Sequence, residues 1–225
     1  MIKCILIDID NTLLDFHKCA REAMCLAAKD LDIVFPKDYF EIFTEINNSL
    51  WEKIEKGELN RQGLFKIRWN MIFEAMGISA DGEAFEELFR DYIKKSAIPV
   101  DGANEILEYL SEKYYVCTAS NSEFAQQEKR LRKAEMLPFI RKIFTSEEIG
   151  FAKPSEKFFE ACKNELPQFE KDEIIVIGDS ITADIDGANA FGFKTCWFNF
   201  NKEADAKCDC ADFIVDELIQ IKKFL

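Results

Sequence analysis

The run Ile5-Leu6-Ile7-Asp8-Ile9-Asp10-Asn11-Thr12-Leu13-Leu14 limits what this chain can become more than any other segment. It opens as a short apolar stretch with β-branched members, the pattern of a strand buried on both faces. It ends in two aspartates, one residue apart. On an extended chain Asp8 and Asp10 point the same way. At about 4 Å, two such charges repel by on the order of 4 kcal/mol at an effective dielectric of about 20. A cation between them relieves that repulsion, as does chemistry that consumes one charge. The plainer alternative is a turn or a helix N-cap.

The rest of the chain gives the strand its context. A strand over about residues 2–9 is followed by some eighty residues of helical periodicity, with helices expected over 17–30, 38–56, 61–76 and 82–97. Gly57 and Gly77 stop two of these, and Asn60 and Asp81 are N-cap residues. Pro99 and Val100-Asp101-Gly102 then mark a boundary. Beyond it the pattern alternates: helix 102–112, strand 114–119, helix 123–134, strand 142–145, helix 155–165, strand 173–177, helix 182–191, strand 194–198, strand 213–215 and a C-terminal helix. Alternation with continuously apolar strands predicts an α/β protein, a doubly wound parallel sheet with helices on both faces. Residues 1–14 and 99–225 are expected to form this Rossmann-like core, and residues 15–98 an inserted all-α domain. The length of 225 residues suits that division.

Composition narrows the function. The chain carries 42 acidic and 29 basic residues, a net charge of −13, with no basic run. Such a chain is a poor binder of nucleic acid or of an anionic membrane, so an anionic substrate must be held by local positive charge. No segment is long enough to span a bilayer, and no leader is expected. The eight cysteines stand mostly in apolar contexts, where Cys behaves as a small hydrophobe. Cys208 and Cys210 are the one tight pair, with one residue between them and no His nearby, which argues against zinc. A reducing, cytoplasmic location is expected.

Ligands of such sheets bind outside the carboxyl ends of the strands. The groups found there or in neighbouring loops are Asp8 and Asp10 with Asn11 and Thr12, then Ser120-Asn121-Ser122, Lys153-Pro154, and Gly178-Asp179-Ser180 with Asp184 five residues after Asp179. Alone, each has a plain reading: a turn, a solvated lysine, a first-turn acid. Pro154 keeps Lys153 out of helical geometry and can itself start the next helix. Together the groups form a set of hard oxygen ligands without His or Cys, which favours Mg²⁺. With one Lys and one hydroxyl to hold phosphate oxygens, the set is equipment for phosphoryl transfer.

The order Asp-x-Asp-x-Thr, Ser-Asn, Lys-Pro and Gly-Asp-Ser with a later Asp resembles the haloacid dehalogenase superfamily over essentially the whole chain. The segments Asp8 to Phe16, Ser146 to Pro154 and Gly192 to Asn199 are similar to its pyrimidine 5'-nucleotidase branch. That branch commonly has Thr-Asn-Gly where this chain has Ser120-Asn121-Ser122, so the hydroxyl is kept and the glycine is lost.

The resemblance implies a Mg²⁺-dependent phosphomonoesterase with an α-helical cap. Asp8 would be the nucleophile and Asp10 the general acid and base. Asp8, Asp179 and the Asp10 carbonyl would hold the metal. Asp184 would act indirectly, orienting Lys153 or a metal-bound water. Ser120 and Lys153 would hold the phosphoryl group, with Asn11 and Asn121 among the substrate contacts. Dehalogenases lack an acid at the position of Asp10, because carbon–halogen cleavage needs no protonated leaving oxygen.

The expected partner is a small phosphomonoester, with the protein a monomer or homodimer. Phe16, His17, Trp51, Arg61, Arg68 and Trp69 are candidate substrate contacts, although aromatics at helical spacing are usually core. His17, the one histidine, is read as a hinge or helix-start residue. Alternatives are a phosphatase of sugar phosphates or phosphoglycolate, a hexose phosphomutase, or a phospho-accepting receiver-like signalling domain. The helical insertion and Asp10 count against the last.

Overall fold

The computed structural model of the chain describes residues 1–202 and 208–225. Its elements run β1 (Cys4–Ile7), α1 (Phe16–Asp30), α2 (Tyr39–Glu55), α3 (Arg61–Met76), α4 (Gly82–Ile93), α5 (Ala103–Lys113), β2 (Tyr115–Ser120), α6 (Phe124–Lys133), β3 (Lys142–Thr145), α7 (Ser146–Ile149), α8 (Glu156–Asn164), β4 (Ile174–Gly178), α9 (Gly187–Phe191), β5 (Lys194–Phe198) and β6 (Phe213–Val215). The strands form one six-stranded sheet in the order β3-β2-β1-β4-β5-β6, every pairing parallel. This is the doubly wound arrangement expected from the alternation of apolar strands and helices.

The alternation of side chains along each strand explains why the strands are apolar throughout. Ile5 and Ile7 enter one core with Ile106, Leu107 and Leu110 of α5 and Leu131 of α6. Cys4 and Leu6 enter the other, with Phe158 and Phe159 of α8 and Phe191 of α9. Burying an isoleucine or phenylalanine fully contributes about 1.5–3 kcal/mol.

The chain divides into two compact units, Met1–Phe16 with Ala97–Leu225, and His17–Ser96. In the second unit Trp69 is fully buried and its ring centre lies 4.2 Å from that of Phe85, with Phe43, Phe73 and Phe89 around it. Arg68 is also buried there, its Nη2 2.6 Å and Nε 3.0 Å from the two oxygens of Glu86 and its Nη1 2.9 Å from Asn47. Both candidates for substrate contact are therefore interior residues of the helical unit. Trp51 packs on the Leu50, Ile54 and Leu64 cluster. His17 lies in the first turn of α1 and meets Phe40 edge-on at 5.9 Å.

Asn60 and Asp81 cap α3 and α4 through their side chains, and Gly77 ends α3 at φ 68°. The strand expected over about residues 2–9 is confined to Cys4–Ile7, the short helix α7 is unanticipated, and three of the expected helices differ. The helix expected over 82–97 ends at Ile93. The one expected over 182–191 opens as a π turn, Ile181–Asp186. The C-terminal helix is a 3₁₀ segment, Leu218–Lys223. None of the helices among the described residues is long and apolar enough to cross a membrane.

Candidate active site

Two adjacent strands deliver acids to the same level of the sheet. β1 ends at Ile7, which pairs with Ile177 of β4, and the next residue, Asp8, donates its N–H to the Ile177 carbonyl at 2.8 Å. β4 ends at Gly178, so Asp179 leaves the sheet beside Asp8. The π turn brings in Asp184, whose Oδ2 accepts from the Ser180 N–H at 3.1 Å. Oxygens of Asp8, Asp179 and Asp184 all lie within 4.8 Å of one another. Gly178 makes this possible: a Cβ there would stand 2.1 Å from Asp184 Oδ2.

Lys153 is the counter-charge. Its ammonium is buried and donates to Asp8 Oδ1 at 2.6 Å, Asp184 Oδ1 at 2.5 Å and the Ala119 carbonyl at 2.7 Å. That satisfies all three of its donors. The Asn121 side chain fixes the backbone of Lys153 from both sides, accepting from its N–H at 2.7 Å and donating to its carbonyl at 2.9 Å. Both ends of the Asn121 amide are thus engaged on the lysine rather than turned to a ligand. Pro154 does not start the next helix, since α8 begins at Glu156 after Ser155.

Burial dominates the electrostatics. Together with the charges of Asp184 and Asp10 it pushes Asp8 up to about 7, against the opposing pull of Lys153. Burial, then Asp8 and Asp184, raise Asp179 well above the usual carboxylate range. Burial lowers Lys153, but Asp184 and Asp8 outweigh it and hold the ammonium above its ordinary value. Two buried carboxylates, Asp8 and Asp184, and the half-buried Asp179 face one ammonium. A divalent cation taking oxygen ligands fits that donor set and its excess charge.

The Asp10 side chain does not join this cluster. The strand stops at Ile7 and Asn11 adopts φ 60°, so the alternation of an extended chain no longer governs where Asp10 points. Its Oδ1 meets Arg130 Nη1 at 2.6 Å and its Oδ2 accepts from Gln127 Nε2 at 2.7 Å. Ser120, the last residue of β2, accepts from the same Gln127 nitrogen at 2.9 Å. The Thr12 hydroxyl lies 3.4 Å from Asp179 Oδ1, and Trp197 Nε1 donates to the Asp179 carbonyl at 2.8 Å. The Asn11 Oδ1 atom is buried with no hydrogen-bond partner among the described residues.

This chain matches the haloacid dehalogenase-like hydrolase family over residues 2–192. It belongs to that family. The HAD-hydrolase YfnB of Bacillus subtilis (strain 168) is 32% identical over 197 residues, spanning 88% of this chain and 84% of YfnB. The pyrimidine 5'-nucleotidase PynA of Streptococcus pneumoniae (strain ATCC BAA-255 / R6) is 30% identical over 198 residues, 88% of this chain and 84% of PynA. A crystal structure of YfnB bound to magnesium superposes with a TM-score of 0.93 at 29% identity, covering 100% of this chain and 98% of that one. The six-stranded parallel sheet is thus the Rossmann-like core of a HAD hydrolase.

Gln127, Arg130 and Trp197 reach site residues of this HAD hydrolase, and the sequence reading singled out none of them. A signal for the first two exists. Phe124, Gln127, Leu131 and Ala134 recur at helical spacing with Arg130 alongside, and this is the face α6 buries. Two polar residues on a buried stripe need partners, which marks them for a network.

Proposed function

We propose that this HAD hydrolase is a Mg²⁺-dependent phosphomonoesterase that works through an aspartyl phosphate on Asp8, with pyrimidine nucleoside 5'-monophosphates as its substrates. The observation that carries the reading is the buried contact of Asp8 with Lys153 beside two further carboxylates. The pyrimidine 5'-nucleotidase activity in the name of PynA supports the substrate class, and the magnesium in the YfnB crystal supports the metal.

Asp8, Asp179 and the Asp10 carbonyl would hold the metal, which when bound offsets the site's negative charge and polarises a phosphoryl oxygen. Asp8 attacks phosphorus through a carboxylate oxygen; the bond from phosphorus to the ester oxygen breaks, and Asp10 protonates that oxygen as it leaves. Asp10, now a carboxylate, takes a proton from water as the water attacks the same phosphorus. Inorganic phosphate departs and Asp8 is restored. Ser120 holds one phosphoryl oxygen, and Lys153 holds another through the donor that Asp8 releases when it turns to phosphorus. Asp184 positions Lys153, and Asn121 positions its backbone. Asp10 argues for phosphoester rather than carbon–halogen cleavage, since only an oxygen leaving group requires a proton. In the same reading, residues 15–98 form the cap, the enzyme is a monomer or homodimer, and it works in a reducing cytoplasm. Its many cysteines serving as small core residues support that location.

The test begins with purified protein, Mg²⁺ and p-nitrophenyl phosphate. It continues with a panel of nucleoside monophosphates against sugar phosphates and phosphoglycolate, scored by released phosphate. Asp8→Asn is expected to abolish turnover while the protein stays folded; normal hydrolysis by that variant rejects Asp8 as nucleophile. Sugar phosphates outpacing nucleotides reject the nucleotidase assignment, and phosphate retained on a hexose indicates a mutase. A long-lived phosphoprotein that releases no phosphate indicates a receiver-like domain.

A further inference from the structure

Gln127 and Arg130 form a buried network that nothing in the mechanism above employs. Both are fully buried on α6. Arg130 Nη1 donates to Gln127 Oε1 at 2.9 Å and meets Asp10 Oδ1 at 2.6 Å. The guanidinium has no acceptor atom, so it dictates that the Gln127 oxygen faces it. The Gln127 amide nitrogen must then face the other way. Its two protons go to Asp10 Oδ2 at 2.7 Å and Ser120 Oγ at 2.9 Å.

The amide orientation has a chemical consequence. Because Ser120 Oγ accepts from Gln127, the serine's own O–H is left to donate elsewhere. A donor is what a phosphoryl oxygen needs from Ser120. Both carboxylate oxygens of Asp10 are held by the same pair, so one network aims the proton-transfer group and orients the phosphate-binding hydroxyl.

We propose that Gln127 and Arg130 are positioning residues that direct the Ser120 hydroxyl toward the transferring phosphoryl group and hold the Asp10 carboxylate in line for proton transfer. The proposal deepens the phosphatase reading and rests on it. Gln127 acts through its fixed amide orientation and Arg130 fixes that orientation; neither needs to touch substrate. Removing either leaves the metal-binding acids and Lys153 intact and blurs the aim of Asp10 and Ser120.

The experiment compares wild type, Gln127→Leu, Arg130→Met and Arg130→Lys on p-nitrophenyl phosphate with Mg²⁺, alongside melting temperatures and acid-quench trapping of phosphoenzyme. p-Nitrophenolate leaves without a proton, so formation of phospho-Asp8 depends less on Asp10 than its hydrolysis does. Gln127→Leu and Arg130→Met are expected to lower kcat by about 10- to 100-fold, the usual scale for groups that orient a site, with a smaller effect on KM. The trapped fraction of phosphoenzyme is expected to rise. Arg130→Lys is expected to recover part of kcat, because it restores one cationic donor.

Should Arg130→Met fail to fold, Gln127→Leu and Arg130→Lys decide the matter, since both keep the size of the buried side chain. Wild-type activity with Gln127→Leu within about twofold of it, or reduced kcat without phosphoenzyme accumulation, overturns the positioning role. An inactive wild type overturns the phosphatase reading instead, so the two failures are distinct.

Discussion

An ammonium buried against two carboxylates is stable only while every partner stays in place, because a buried charge left unpaired costs several kcal/mol. Lys153 meets that requirement through Asp8, Asp184 and a backbone carbonyl, and Asp184 reaches it only because residue 178 has no side chain. Gly178→Ala would place a methyl group 2.3 Å from the Asp184 Cγ. Asp184 must then withdraw from Lys153. The expected result is a loss of kcat of at least about tenfold, with the protein still folded; steady-state kinetics beside a thermal melt checks it. Unchanged kinetics would mean that Asp184 does not need its place beside Lys153. Gly178 reads in the sequence as an ordinary strand end because its constraint is the approach of a residue six positions later, through a π turn that periodicity does not anticipate.

At the scale of elements, α3 and α4 meet closely, with Gly82 against the Asn70 backbone. The buried pair Arg68–Glu86 locks that contact in two-pronged geometry, with Asn47 of α2 taking a further donor. Burial raises the pKa of Glu86, and Arg68 pulls it back. Arg68→Met strands the Glu86 carboxylate in the interior, which costs about 3–5 kcal/mol. Denaturant unfolding is expected to show that loss in the helical unit. The double variant Arg68→Met with Glu86→Leu is expected to recover much of it, since an apolar pair needs no counter-charge. A single variant as stable as wild type would show the pair to be dispensable. Helix α6 is the contrasting case, in which polar residues on a buried face serve the neighbouring strand ends rather than the element itself.

Across the whole molecule, a net charge of −13 and a buried acid cluster make stability depend on pH and metal together. The carboxyls of Asp8, at about 7, and of Asp179, well above 3.8, hold protons in the folded state that the unfolded chain gives up near 3.8. Over that interval the folded protein binds more protons than the unfolded one, so stability falls as pH rises. The raised Lys153 keeps its proton throughout, and its contribution does not change there. In chelator, the melting temperature is expected to drop between about pH 5 and about pH 8. Added Mg²⁺ is expected to raise it more at the upper end, where protons no longer compete for the same oxygens. A melting temperature that climbs with pH in chelator, or a Mg²⁺ effect larger at low pH, would contradict this account.

The alternation of continuously apolar strands with helices determined the parallel sheet by itself, because such strands have no face left for water. That sheet type brings residues after the strands to one edge, so Asp8, Ser120 and Asp179 were legible as candidates, and the motif order identified the family. Tertiary structure alone decided which partners those groups take. Asp10 leaves Asp8 for Arg130 and Gln127 because the strand ends at Ile7. Asn121 grips the Lys153 backbone. Arg68 and Trp69 turn inward. Local periodicity specifies which side of an element a residue occupies. The identity of the atom across the gap depends on chain brought from another element, 120 positions away for Asp10 and Arg130 and 32 for Asn121 and Lys153, and no local pattern encodes it.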